Sequence, residues 1–460
     1  MNPGSHTSAT VRAFGWWDIV RMGVVQACLG SMVVVATSTL NRIMVVELAL
    51  PALVPGLLVG FHYVVQMLRP RMGFGADQGR RCTPWMMGGM GLLALGGVLA
   101  SKATAWMAHS MAQGLAMNLL AFGLIGIGVS ACGTSLLALM AKRVQESMRA
   151  PAATTVWVMM IMGFAVTAVT VGKLIDPYTP ERVQEVTWGL AWVICLATAL
   201  ALFRLEGAAG SLASSSTSNA ETSSEEPKHF KAALQQVWVE PQARLFTVFV
   251  FLSMLAYSSQ DLILEPFAGS IFGMTPGQST QLSGVHHSGV LTGMLAVALA
   301  GSRWVAGRLG SVQAWLVGGC MASSLAMMGL TFAGLLAGDW PLKANVYLLG
   351  VANGAFSIAA IATMMRLANA GEGRSQGTRM GLWGAAQALA FGLGGVLGTA
   401  LSDLARWAFS SAQWGYSSVF AFEAVLFVMS ALCAVRVGQF DGEAVSEATI
   451  AFKSVRAGEG

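Results

Sequence analysis

One stretch, Ala256 to Met294, organises the rest of the chain; it reads AYSSQDLILEPFAGSIFGMTPGQSTQLSGVHHSGVLTGM. Two carboxylates, Asp261 and Glu265, come near the end of an apolar segment that is predicted to be a helix. A Gly/Pro turn follows, and paired histidines, His286 and His287, open the next predicted helix. Charged and imidazole side chains are costly inside a bilayer, so their presence in such helices usually marks a function.

The composition predicts a protein that crosses a membrane many times. Of the 460 residues, 55% are hydrophobic and 11% are charged, and the mean hydropathy is +0.62. Soluble domains carry about 25% charged residues. The lipid bilayer is therefore the expected environment, and the net charge of +5 does not indicate a nucleic-acid partner. The six cysteines are scattered singly, which predicts neither a metal site nor a disulfide framework.

Apolar runs long enough to span a bilayer, about 20 residues each, predict twelve helices. They lie near residues 18–40, 50–68, 85–101, 112–140, 152–175, 187–205, 244–266, 284–301, 311–336, 343–369, 377–400 and 415–436. The fold class is therefore an all-α membrane protein with twelve transmembrane helices. Two groups of six around a polar linker are the plan of the major facilitator fold.

The distribution of basic residues predicts the topology. If the N-terminus is cytoplasmic, 21 of the 27 Lys and Arg residues fall in cytoplasmic segments and 6 in outer ones. Basic residues concentrate in cytoplasmic loops. Both termini are therefore expected in the cytoplasm.

A polar segment divides the chain into domains. Small, polar and acidic residues fill GAAGSLASSSTSNAETSSEE, which is typical of a flexible linker. We expect an N-terminal six-helix half over 1–205, a cytoplasmic linker over 206–243, a C-terminal six-helix half over 244–437 and a cytoplasmic tail over 438–460.

The loop between the second and third helices contains a candidate gate. It reads GFGADQGRR and carries Asp77, Arg80 and Arg81. This pattern resembles the G-x-x-x-D-x-x-G-R-R/K loop of facilitators, with one residue missing. Asp77 could lie at the N-terminus of the eleventh helix, where the helix dipole favours an anion. The alternative is that these charges only fix the topology.

A second gate is predicted from charges at equal depth. At about 1.5 Å rise per residue, Arg42, Glu47, Asp261 and Glu265 all lie near the outer end of their helices. A pair between Arg42 and one of the two C-terminal carboxylates would close the outer side. The alternative is that the four residues cap their helices in the headgroup region.

Three segments resemble the PucC/LhaA family, the bacteriochlorophyll-delivery branch of the major facilitator superfamily. They are LNRIMVVEL at 40–48, RPR at 69–71 and QDLILEP at 260–266. The resemblance implies a multi-pass protein of a bacterial inner membrane, cytoplasmic or intracytoplasmic. It also implies a non-enzymatic assembly factor that hands bacteriochlorophyll, or a late precursor, to light-harvesting antenna polypeptides. A branch associated with pigment biosynthesis makes bacteriochlorophyll synthase or the membrane insertion machinery a further expected partner.

The resemblance also implies a pigment site. Imidazole is a good axial ligand for a metal held by a tetrapyrrole, so His62, His286 and His287 are the candidate ligands of pigment magnesium. No other metal site is predicted. The same histidines could instead hydrogen-bond neighbouring helices.

The alternative function is secondary active transport of a small solute. A proton-coupled transporter usually keeps a carboxylate near mid-membrane in its first, fourth, seventh or tenth helix. Residues 112–140 and 343–369, the fourth and tenth predicted helices, contain no Asp or Glu. That composition favours the pigment carrier, and the sequence carries no motif typical of an enzyme.

Overall fold

The computed structural model describes residues 14–67, 81–206, 238–300, 311–336, 340–370 and 376–458. Within these ranges the regular structure is helical throughout. The twelve helices are α1 Trp16–Glu47, α2 Leu53–Gln66, α3 Thr83–Trp106, α4 Met111–Arg143, α5 Glu146–Leu174, α6 Pro180–Leu202, α7 Pro241–Phe272, α8 Pro276–Ala300, α9 Val312–Leu336, α10 Leu342–Ala370, α11 Gln376–Phe409 and α12 Ala412–Gly458.

These helices confirm the predicted fold class. Among the described residues, eleven helices are long and apolar enough to cross a membrane, and α2 is a shorter apolar helix. Each predicted apolar run overlaps one of the twelve. The predicted gate residues Asp77 and Arg80 lie outside the described residues.

Helices α1 and α7 end later than predicted because they continue through polar residues that neighbouring helices cover. Helix α1 runs past 40 to Glu47 through two π-helical turns, Val35–Thr39 and Ile43–Glu47. Helix α7 continues through Pro266 to Phe272 and ends where Gly273 takes a φ of 62°. A glycine at this position accepts the left-handed conformation that closes a helix.

Helix α8 begins earlier than predicted, and this corrects the position of the paired histidines. It starts at Pro276 rather than near 284, because proline is well suited to the first turn of a helix. His286 and His287 therefore lie well inside α8 and do not open it.

The contacts divide the chain into two compact units. The N-terminal unit comprises Met1–Ala49, Phe61–Ser223 and Thr275–Gly284, and the C-terminal unit comprises Leu50–Gly60, Ser224–Met274 and Val285–Gly460. The boundaries predicted from the sequence stay a prediction, and residues 207–237 of the expected linker lie outside the described ranges.

The N-terminal unit is built on glycine-mediated helix contacts. Helix α3 packs against α4 and α6, and α1 packs against α5 and α6. A Cβ atom added at Gly89 of α3 would lie 2.6 Å from the Cys132 nitrogen, and one at Gly128 of α4 would lie 2.6 Å from the Leu93 nitrogen. Small residues allow backbones to approach closely in membrane helices, so glycine is required at these crossings.

In the C-terminal unit, glycines also allow a close helix contact, between α7 and α11. Gly394 and Gly398 of α11 form a GxxxG pair that lies against α7. Ser259 of α7 donates a hydrogen bond from its hydroxyl to the Gly394 carbonyl at 2.8 Å. Helix α7 also packs against α12, and α9 packs against α10 and α12.

Two aspartates cap helix N-termini that are distant in sequence. Inside the C-terminal unit, Asp403 of α11 accepts hydrogen bonds from the backbone N–H groups of Ala52 and Leu53, at 3.0 and 2.8 Å, where α2 begins. Inside the N-terminal unit, Asp176 after α5 accepts one from the Gly277 N–H at 3.2 Å, in the first turn of α8. Free N–H groups and the dipole at a helix start both favour a carboxylate.

Candidate functional site

A buried polar network surrounds Gln260, the first residue of the QDLILEP segment. Nε2 of Gln260 (α7) is 2.8 Å from Nε2 of His286 (α8). The side-chain amide of Asn353 (α10) donates to Oε1 of Gln260 at 3.1 Å and lies 3.3 Å from the same imidazole nitrogen. Ser323 (α9) donates to Oδ1 of Asn353 at 2.8 Å. All four side chains are buried, so the network joins four helices of the C-terminal unit.

Glycines bring α8 and α10 close enough to form this network. A Cβ atom at Gly293 of α8 would lie 2.9 Å from the Ala355 nitrogen, and one at Gly354 of α10 would lie 3.0 Å from the Met294 nitrogen. Gly350 lies directly against the backbone carbonyl of His286. The two helices therefore cross backbone to backbone beside the imidazole.

The hydrogen bonds of the network indicate the tautomer of the His286 ring. Two amide nitrogens approach its Nε2, so the neutral tautomer with the proton on Nδ1 fits the hydrogen bonds, an assignment that follows from the partners. His287, the next residue, is also buried, and its ring packs edge-on against that of His286 with centroids 5.2 Å apart. Of the predicted pigment ligands, the structure brings these two together.

His62 occupies a comparable place in the N-terminal unit. Its Nε2 is 2.7 Å from Nε2 of Gln66, one turn along α2, and both side chains are buried. A Cβ atom at Gly126 of α4 would lie 2.8 Å from the His62 carbonyl. In each half, therefore, a buried histidine of the second helix bonds a glutamine, and its backbone lies against a glycine of the fourth helix.

Three acidic residues lie along α7 and α12 in the C-terminal unit. Glu265 is fully buried and Asp261 is half-buried. Glu423 of α12 is also fully buried, and neither of its carboxyl oxygens has a hydrogen-bond partner among the described residues. Helix α7, which carries Asp261, packs against α12. The prediction that Asp261 and Glu265 lie near the end of α7 is wrong, because the helix continues to Phe272.

Arg42 and Glu47 form an ion pair at the end of α1. The Arg42 side chain is buried and Glu47 is one-third exposed, so Arg42 does not simply sit among headgroups. Burial raises the pKa of the nearby Tyr178, and the Glu47 charge raises it further while Arg42 lowers it. The pairing of Arg42 with Asp261 or Glu265 stays a prediction.

The predicted loop gate is described only at its end. Arg81 is exposed just before α3. The role of Asp77, Arg80 and Arg81 as a gate therefore also stays a prediction.

Sequence reasoning missed three residues of these clusters: Asn353, Ser323 and Glu423. Each is a polar residue within an apolar run, alone or, for Ser323, beside a second serine. That is a usable signal, because a polar side chain inside a membrane helix usually faces the bundle interior and a partner. The partner itself could not be predicted, since it lies on another helix.

The described fold is that of a major facilitator-type membrane protein. It matches a solved proton dependent oligopeptide transporter with a TM-score of 0.64 and 16% identity, over 92% of this chain and 98% of that chain. The model of the family described as PUCC protein matches residues 39–441. The chain therefore belongs to the PUCC family, as the QDLILEP resemblance predicted.

Two relatives from Rhodobacter capsulatus cover nearly the whole chain. A protein called "Bacteriochlorophyll synthase 44.5 kDa chain" is 45% identical over 430 residues, which are 92% of this chain and 96% of that protein. A second, called "Protein PucC", is 28% identical over 91% of each chain.

Proposed function

We propose that this protein is a non-enzymatic assembly factor that binds bacteriochlorophyll, or a late precursor, and hands it to light-harvesting antenna polypeptides. One observation carries the proposal: near full-length similarity to a relative whose name refers to bacteriochlorophyll synthase. Membership of the PUCC family supports the same context. The expected place is a bacterial inner membrane with both termini in the cytoplasm, which the basic-residue distribution supports.

A carrier role accounts for these features better than a synthase role. The relative's name refers to one chain of a bacteriochlorophyll synthase, which is compatible with a chain that serves an enzyme without being one. The fold is shared with transporters, whose scaffold binds and releases cargo. The proposed partners are therefore antenna polypeptides, with bacteriochlorophyll synthase or the membrane insertion machinery as a further partner.

The candidate histidines suit pigment magnesium chemically, although two of them are already engaged. Imidazole nitrogen is a suitable axial ligand for a tetrapyrrole metal. For His62 or His286 to ligate magnesium through Nε2, its hydrogen bonds to Gln66, or to Gln260 and Asn353, would have to be given up. His287 flanks this network, so it is tested together with His286.

Secondary transport of a small solute is the second candidate. The buried carboxylates on α7 and α12 favour it, because intramembrane acids often belong to ion or proton pathways. The absence of Asp and Glu from the α4 and α10 sequences disfavours it. The two candidates differ in a simple observable, since only the carrier should copurify with pigment.

The test is gentle purification from pigmented native membranes, followed by absorption spectroscopy. We expect bound far-red pigment in the wild type and less pigment per protein in whichever of His62→Ala, His286→Ala and His287→Ala removes the ligand. His109→Ala is the matched control, because His109 is exposed in the loop between α3 and α4. A colourless wild type would overturn the carrier proposal.

Removal of a hydrogen-bond partner separates ligation from packing at His286. Gln260→Met takes away one partner of the ring but leaves the imidazole able to ligate magnesium. If His286 only holds helices together, Gln260→Met should lose pigment through instability as His286→Ala does, whereas a magnesium ligand should still hold pigment in Gln260→Met. Unchanged pigment in all three alanine variants would remove the histidine assignment and leave the carrier role standing.

A further inference from the structure

Glu423 is a fully enclosed carboxyl group in the described part of the C-terminal unit. Its side chain is fully buried in α12, and neither Oε1 nor Oε2 has a hydrogen-bond partner within the described ranges. An ionised carboxylate held in this way loses its hydration and receives nothing in exchange. A ligand that removes the negative charge is therefore required for the observed arrangement to be stable.

Within the described residues, the helices packed around α12 hold few cations. Helix α7 presents Asp261 and Glu265, which are acids, and its one basic side chain, Arg244, lies about 26 Å along the helix from Asp261. The only ionisable side chain in the α9 sequence is Cys320, which carries no positive charge.

Helix α11 contributes charged groups that are used elsewhere. Arg379 donates to the Leu367 carbonyl and pairs with Glu240. Asp403 caps α2, and Arg406 lies against Gly415. Helices α7 and α12 run antiparallel, because Ser270 bonds Tyr416 and Phe267 packs on Phe420. Asp261 therefore lies at about the same depth as Glu423.

We propose that Glu423 and Asp261 form a proton-binding site inside the C-terminal unit, with Glu423 holding the proton as a carboxylic acid. Two carboxylates that interact in a dry site share one proton at lower cost than they hold two charges. The pair then carries one negative charge instead of two. A proton is also small enough to occupy a site in which Glu423 has no exposed surface.

Asp261 is the entry to this site. It is half-buried, whereas Glu423 is fully enclosed. A proton from water would first bond to a carboxylate oxygen of Asp261, and it would then pass to Glu423 as Asp261 returns to its ionised form. No other reactant is needed, and the total charge of the pair stays constant during the second step.

Infrared spectroscopy of the full-length purified protein tests the site. A protonated carboxyl gives a C=O stretching band that a carboxylate lacks, and this band shifts when water is replaced by D₂O. We expect such a band near neutral pH in the wild type and its loss in Glu423→Gln. In Asp261→Asn the band should remain, but its shift in D₂O should develop more slowly because the entry group cannot carry the deuteron.

Glu206→Gln is the matched control. Glu206 is also buried, but it accepts hydrogen bonds from the Cys82 and Thr83 backbone N–H groups and from the Thr83 hydroxyl. Its replacement should leave the band in place. The proposal would be overturned if the wild-type spectrum shows no such band, or if Glu423→Gln leaves the band in place.

The test remains decisive if Glu423→Gln does not fold. Isotope labelling of glutamate carboxyl carbons in the wild type should then shift the same band, and an unshifted band would also overturn the proposal. The inference is independent of pigment binding, because it is measured on a carboxyl vibration and not on a chromophore.

Discussion

Replacing Asn353 by leucine should destabilise the protein more than any other single change in the Gln260–His286 network. The Asn353 amide contacts three partners: Gln260 at 3.1 Å, His286 at 3.3 Å and Ser323 at 2.8 Å. Hydrogen bonds between membrane helices are worth about 0.6 kcal/mol on average and up to about 1.7 kcal/mol. The loss of three bonds should therefore lower the free energy of unfolding by about 2 to 5 kcal/mol.

Replacing Gln260 by methionine should cost less, because Gln260 makes two of the network bonds and its removal leaves Asn353 with His286 and Ser323. We expect a loss of about 1 to 3 kcal/mol. The two residues share one bond. The double variant should therefore lose less than the sum of the single variants, by about 0.6 to 1.7 kcal/mol.

The measurement is unfolding in mixed micelles with increasing denaturing detergent, followed by fluorescence of the 14 tryptophans. Ser430→Ala is the control, since Ser430 is buried but its hydroxyl bonds only the Leu426 carbonyl of its own helix. That change should cost less than about 1 kcal/mol. If Asn353→Leu is no worse than the control, or if the double variant is strictly additive, the network does not act as a connected unit.

Four further results are expected. Asp403→Ala should lower the free energy of unfolding by about 1 to 2 kcal/mol in the same titration, because the α2 start loses its cap. Gly350→Leu should abolish folded protein on size-exclusion chromatography, whereas an alanine at the exposed Gly384 should have no effect. Reporter fusions at Gly210 should behave as cytoplasmic. Glu265→Gln should reduce accumulation in membranes, and exchanging the charges of Arg42 and Glu265 should partly restore it; wild-type accumulation in both variants would exclude that pair.

Hydropathy predicted the helices well because a span must satisfy its backbone internally and expose apolar side chains to lipid. It placed helix ends less well, since a helix can continue through a polar residue that other helices enclose. Arg42 illustrates this: it lies inside α1, between two π-helical turns, with 3% of its side chain exposed. The start of α8 was predictable from Pro276, a residue type favoured at the first turn.

The candidate site was predictable by residue type but not by partner. Gln260 and His286 stand out as polar residues in apolar segments, and the sequence places them in successive helices. Asn353, which joins them, is 93 residues from Gln260, and no local pattern connects the two. Long-range hydrogen bonds depend on helix rotation and crossing distance, which the glycines of α8 and α10 determine only in three dimensions.

The two halves share one plan around the histidine of their second helix. Both have a histidine on their second helix beside a glycine of their fourth, at His62 and at His286. In the N-terminal unit, the bond shown for that histidine is to Gln66 of the same helix. In the C-terminal unit, the equivalent ring connects helices through Gln260 and Asn353. A hydrogen bond between two helices changes when those helices move. A change in the packing of α7, α8 and α10 must therefore alter the surroundings of His286.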